Sequence, residues 1–135
     1  MTTILAFIVA HMGFLWERAR FQIVGSEVSE VNGGNAELLV ASPTLRLRFL
    51  LDRDELYLDL QPAHVEGPRE WYDVALVRRF VLGTDDPPAM LGPEDATFLR
   101  DRLAAVESAF APGAWEETRS RLRALRKKRA AEQGR

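Results

Sequence analysis

The sequence predicts a single α+β domain: a leading N-terminal helix, a four-stranded antiparallel meander, and three C-terminal helices packed on one sheet face. Three observations carry that expectation. Residues 44–61, TLRLRFLLDRDELYLDLQ, alternate apolar and polar side chains on both sides of a DRDE turn, the period-2 signature of two half-buried antiparallel strands. From Gly67 onward the apolar residues recur every three or four positions, as they do in helices buried along one stripe. The chain has 135 residues, 47% of them hydrophobic and 28% charged. That is enough to bury about 65 to 70% of the unfolded surface around one core, and too apolar for disorder.

The first element is an apolar run, Ile4 to Trp16, interrupted only by His11. Ile4, Phe7, Ile8, Met12 and Leu15 fall at helical spacing, and Glu17, Arg18 and Arg20 mark the exit toward solvent. The run is shorter than the ~20 residues that span a bilayer, no basic residue precedes it and no small-residue cleavage site follows, so a packed helix is expected. Met12 is a second candidate start, because Met12 to Arg20 alone makes a compact leading helix.

Phe21 to Val31 reads as the first strand. Phe21 and Ile23 share one parity and Val28 has the other, so Gly25 is the expected site of a bulge. Asn32-Gly33-Gly34-Asn35 supplies a hairpin turn. Ala36 to Ala41 forms the second strand, and Ser42-Pro43-Thr44 ends it because proline cannot donate to the ladder. In the next hairpin, a four-residue turn at Asp52 to Glu55 pairs Leu51 with Leu56, Phe49 with Leu58 and Leu47 with Leu60, and sets Arg48 opposite Asp59. A two-residue turn would set Arg46 against Asp59 without changing the faces.

After Gln61 a connector, Pro62 to Pro68, leads into a helix carrying Trp71, Val74, Ala75, Val77 and Val81, which Gly83 should end. Thr84 to Pro88 is a loop. Pro93 stands at a first helical position with Glu94 and Asp95 in the first turn, where the helix dipole favours acids. Leu99, Leu103, Val106 and Phe110 continue that helix. Pro112-Gly113 breaks the chain, and a last helix begins near Ala114 with a narrow stripe of Trp115, Thr118, Leu122 and Leu125 suited to packing on its predecessor. The stripe then stops, so 126–135 reads as a basic tail that frays.

The chemistry-bearing inventory is thin. No cysteine is present, which excludes disulfides and thiol catalysis and fits a cytoplasmic location. Of the two histidines, His11 lies in the apolar segment. His64 has Glu66, Glu70 and Asp73 near in sequence, at a spacing that matches no metal motif and crosses a loop-to-helix boundary. No phosphate-binding loop, nucleophile elbow or dinucleotide fingerprint occurs. The expectation is a protein that is not an enzyme and uses no metal and no cofactor.

Charge is unevenly distributed. Residues 1–112 hold 10 basic and 17 acidic side chains, and residues 113–135 hold 8 basic and 3 acidic. The basic C-terminal helix offers Arg119, Arg123, Arg126, Lys127, Lys128 and Arg129 as candidate contacts to nucleic-acid phosphates. An acidic body and the lack of interleaved aromatics oppose that reading, and the tail can instead lie on its own body. Nucleic acid is therefore the alternative partner and protein the first. Arg46, Arg48, Tyr57 and Asp59, on the polar face of the meander, are the candidate protein-binding residues, because Arg and Tyr are favoured at interfaces. Either a helix covers them or they are offered to a partner, a second copy of the chain included.

The basic side chains are 16 Arg against 2 Lys, the imprint of a GC-rich bacterial genome. The order FQIVGSEVSEVNGGNAELLV, LRLRFLLDRDELYLDLQP, WYDVALVRRFVLG, PEDATFLRDRL resembles small uncharacterised bacterial α+β proteins, and the pattern over about residues 14–125 is similar to that of toxin-immunity proteins. The resemblance implies a cytoplasmic binder that blocks a partner by contact, without a cofactor. It carries no functional residue over. The chain also departs from the immunity pattern, in which one surface is strongly acidic, because here the acids are dispersed along the sequence.

Overall fold

The computed structural model describes residues 1–17, 20–29, 34–85, 87 and 90–134. Five helices and five strands follow one another as α1 (Thr2–His11), α2 (Phe14–Glu17), β1 (Gln22–Ser29), β2 (Asn35–Ala41), β3 (Leu45–Asp52), β4 (Glu55–Pro62), β5 (Tyr72–Asp73), α3 (Val74–Leu82), α4 (Pro93–Phe110) and α5 (Pro112–Gln133). The fold is α+β, and the strands form one antiparallel sheet in the order β1-β2-β3-β4-β5.

The strongest sequence pattern gives the strongest agreement. β3 and β4 pair Leu51 with Leu56, Phe49 with Leu58, Leu47 with Leu60 and Arg48 with Asp59. Arg53 and Asp54 close the hairpin at positive φ, as a type I′ turn requires. β1 carries its register shift between Ile23 and Gly25, where the parity change in the sequence demanded a bulge. Of the expected Asn32–Asn35 turn, Asn32 and Gly33 lie outside the described residues.

The meander has a fifth strand that the sequence reading missed. Gly67-Pro68 opens a short 3-10 turn, Pro68–Glu70, and not the expected helix. Trp71 is extended, and Tyr72 pairs with Leu60 on β4. The helix starts only at Val74, because the Asp73 carboxylate caps it by accepting from the Leu76 N–H at 3.1 Å, satisfying one of the orphan donors of the first turn. Gly83 ends α3 in the left-handed conformation, as expected.

The leading helix is likewise two helices. Residues 12 and 13 interrupt it, and Gly13, with its low helix propensity, marks the break between α1 and α2. Ile4, Ile8, Met12 and Leu15 are nevertheless all buried. α4 begins at Pro93 with the Asp95 carboxylate accepting from the Gly92 N–H at 3.0 Å.

The buried side chains make one contiguous core. Leu38, Val40, Leu47, Phe49, Leu58 and Leu60 supply the sheet side. α1, α3, α4 and α5 supply the other, through Ile4, Leu76, Phe110 and Trp115 among others. Tyr72, fully buried, meets the Trp115 ring edge-on at 5.8 Å, and Trp115 in turn lies 5.1 Å from Phe110. Burying a side chain of this size stabilises the fold by about 1.5 to 3 kcal/mol.

The expected fraying from residue 126 is replaced by helix through Gln133. The reason is a row of long-range polar contacts. Arg119 and Arg123 pair with Glu70 at 3.1 and 3.2 Å. Arg126 lies 4.2 Å over the Tyr72 ring and donates to the Trp71 carbonyl. Arg129 grips both oxygens of Asp73 at 2.6 and 2.8 Å. Near the end, Glu132 meets the buried Arg79, which Asp85 also holds.

Candidate functional site

The polar face of the meander is half-exposed along β2, β3 and β4, where Glu37, Leu39, Arg46, Arg48, Leu50, Tyr57 and Asp59 alternate with buried core residues. The structure divides the four residues expected to meet a partner there. Arg46 reaches the connector after β4 and donates to the Ala63 and Val65 carbonyls at 2.9 and 2.6 Å. Arg48 forms an ion pair with Asp59 at 2.7 Å, and its guanidinium lies 4.4 Å over the Trp71 ring. Three of the four are thus engaged inside the chain, where they hold Trp71 and the connector against the sheet.

Tyr57 is different. It lines a cleft of about 620 Å³ at the turn end of this face, together with Glu27, Glu37, Leu50 and Asp52. Strand register explains the assembly: Glu27 is opposite Glu37, Glu37 opposite Leu50, and Leu50 opposite Tyr57, so the four stand in one row across four strands. The Tyr57 hydroxyl donates to Glu55. That hydrogen bond, with smaller contributions from desolvation and the charges of Glu55 and Asp52, raises the phenol above its ordinary pKa.

Two glutamates directly across a strand pair repel one another, and such a pair is destabilising. No cation pairs with Glu27 or Glu37 among the described residues. The result is an acidic wall around an apolar floor at Leu50, with a phenol at its far side. Reading the sequence strand by strand missed Glu27, Glu37 and Asp52. Only the register across the bulge at Ile23/Gly25 puts Glu27 in that row.

The residues considered for nucleic acid sort differently. Arg119, Arg123, Arg126 and Arg129 all face carboxylates, a carbonyl or a ring of their own chain, while Lys127 and Lys128 are exposed. Burial alone would raise the Asp73 carboxyl, but the hydrogen bond and charge of Arg129 and the Leu76 N–H outweigh it and hold the group below its ordinary value. Arg129 is raised in turn, chiefly by its hydrogen bond to Asp73. His64 is exposed, and its sequence neighbours Glu70 and Asp73 are the partners of α5. Among the described residues no three His, Asp or Glu side chains gather as a metal site. No helix among them is long and apolar enough to cross a membrane.

Fold and surface together define an α+β protein whose five-stranded antiparallel sheet is backed by helices and carries an acidic, tyrosine-edged cleft on its half-exposed face. Compared with protein-family models, with curated proteins and with solved structures, the chain finds no match.

Proposed function

We propose that this is a non-enzymatic bacterial protein that acts in the cytoplasm by contact with another protein, in the manner of an immunity protein, and that its contact surface is the acidic cleft around Tyr57. The observation that carries the reading is the row Glu27, Glu37, Leu50, Tyr57 at the mouth of a 620 Å³ cleft. Glu27, Glu37 and Asp52, apart in the sequence, line this one cleft, which supports the reading. Tyrosine beside an apolar floor is a composition favoured at binding hot spots, and the surrounding carboxylates select a partner segment that carries Lys or Arg next to an apolar side chain.

Parallel captures from native lysate with the wild-type chain and the Glu37→Lys variant test this. The expected result is a basic protein retained by the wild type, released by salt, and lost with Glu37→Lys. Identical captures by the two would refute the assignment of the cleft. Glu37 is half-exposed on a strand, so the substitution leaves the core intact.

A further inference from the structure

We infer that the last turns of α5, residues 126–133, are a latched strap: the contacts of Arg126 and Arg129 with β5 hold them down, and breaking those contacts frees this segment while the rest of the fold stays closed. The strap shares no residue with the Tyr57 cleft, so the inference stands apart from the proposed function.

α5 is attached in two different ways along its length. Trp115, Thr118 and Leu122 are buried in the core, and Leu125 packs against it. Beyond Leu125 the only apolar side chains of the helix are Ala130 and Ala131, and both are exposed. The first part of the helix is therefore anchored by apolar burial. Its end is held by Arg126 on the Trp71 carbonyl and the Tyr72 ring, by Arg129 on Asp73 and by Glu132 on Arg79.

The groups that the strap touches on the body have second partners there. Asp73 keeps the Leu76 N–H at 3.1 Å, and the buried Arg79 keeps Asp85 at 2.8 Å. The Tyr72 ring keeps its edge contact with Trp115. Glu70 is untouched, since Arg119 and Arg123 precede Leu125. The exception is the Trp71 carbonyl, which passes from Arg126 to water. Release thus leaves no buried charge unpaired, and an unpaired buried charge is what makes breaking an internal ion pair so unfavourable.

The segment is also set to open as one unit. Arg126 and Arg129 lie one turn apart and grip Trp71, Tyr72 and Asp73, so residues 127 and 128 between them cannot uncoil until a grip gives way. No glycine or proline interrupts α5 from Ala114 to Gln133, which leaves it without an internal hinge. With Trp115 and Leu122 fixed in the core, the helix cannot lift as a rod, and its end leaves by uncoiling. Salt is the expected trigger. A third of the Asp73 side chain is exposed, 33% against 16% for Arg129, and ion pairs within reach of solvent weaken as salt screens them. Release uncovers the Trp71 carbonyl and the Asp73 carboxylate, acceptors that hold guanidinium groups in the closed chain.

Amide hydrogen exchange of the full chain, read residue by residue by NMR, tests the latch. At low salt the amides of residues 127–130 should share one protection factor, below that of the β3 and β4 amides, as a sub-global opening requires. Raising NaCl to about 1 M should lower it about tenfold and leave the sheet amides within about twofold. Arg129→Gln should reproduce that fall at low salt. Asp73→Asn should do the same while retaining a side-chain oxygen to cap α3, which separates loss of the latch from loss of the cap. Protection at 127–130 equal to that of the sheet would overturn the proposal, because the end would then open only with the whole fold. So would protection that ignores salt or the Arg129→Gln substitution, or that declines smoothly toward residue 133 as in ordinary fraying.

Discussion

The two edges of the sheet are built on opposite plans. β5 has only two residues, Tyr72 and Asp73, and α5 closes over it: Arg126 takes the Trp71 carbonyl and stacks on Tyr72, and Arg129 takes both oxygens of Asp73. β1 has eight residues, and its Ile23, Val24 and Val28 are exposed. A short edge covered by a helix is shielded from strand addition, whereas a long one relies on charges and bulges along it, here Glu27 and the bulge between Ile23 and Gly25. The difference teaches where the molecule keeps its stability. The β5 edge belongs to the core, while the β1 edge leaves Ile23, Val24 and Val28 exposed.

Substitutions can break or sharpen that contrast. Tyr72→Ala should have the largest effect, about 3 to 5 kcal/mol of unfolding free energy in urea denaturation, because the ring is fully buried between Trp115 and Arg126. A loss below 1 kcal/mol would mean the β5 edge is not part of the core in the way described. Asp73→Ala should follow at about 1 to 3 kcal/mol, since it removes both the α3 cap and the Arg129 pair.

That second effect has a pH signature. The Asp73 carboxyl is held below its ordinary value of 3.8 in the folded chain. Its contribution is therefore fully present above the unfolded value and is lost as pH falls through the lower folded value. The stability gap between wild type and Asp73→Ala should be constant at neutral pH and close only in strong acid. A gap already shrinking near pH 6 would point to a different group.

Inside the sheet, a double-mutant cycle on Arg48 and Asp59 should give a coupling of about 0.2 to 1 kcal/mol, a reference for a pair that belongs to neither edge. The smallest change is expected at the other edge, where Val28→Ala should shift the unfolding free energy of the monomer by less than about 0.5 kcal/mol. If Val28→Ala matched Tyr72→Ala in dilute solution, the two edges would be equally structural and the contrast would fail.

Much of the fold was legible because its signals are local. Alternation in residues 44–61 fixed the β3–β4 faces, and the register with Arg48 opposite Asp59 was one of two open choices. Gly25, Gly83 and Pro93 marked a bulge, a helix end and a helix start by conformational rules that need no neighbours. The site was less legible. Tyr57 was singled out and does line the cleft, but Arg46, Arg48 and Asp59 share its parity and are engaged within the chain, a difference that depends on where Trp71 and the connector fold back. Glu27 and Glu37 are ten residues apart in sequence and become neighbours only through the β1–β2 register.

By itself the sequence determined the class of the fold, the apolar face of the meander, and the absence of thiol chemistry, because hydrophobic period and residue inventory act within a few residues of chain. The tertiary structure alone decided that residues 72–73 form a strand, that the basic helix lies on Glu70 and Asp73, and that Glu27, Glu37 and Asp52 line one cleft. Those contacts join positions more than fifty residues apart in the case of α5. Their free energy exists only when the whole chain brings the charges together, so no local pattern announces them.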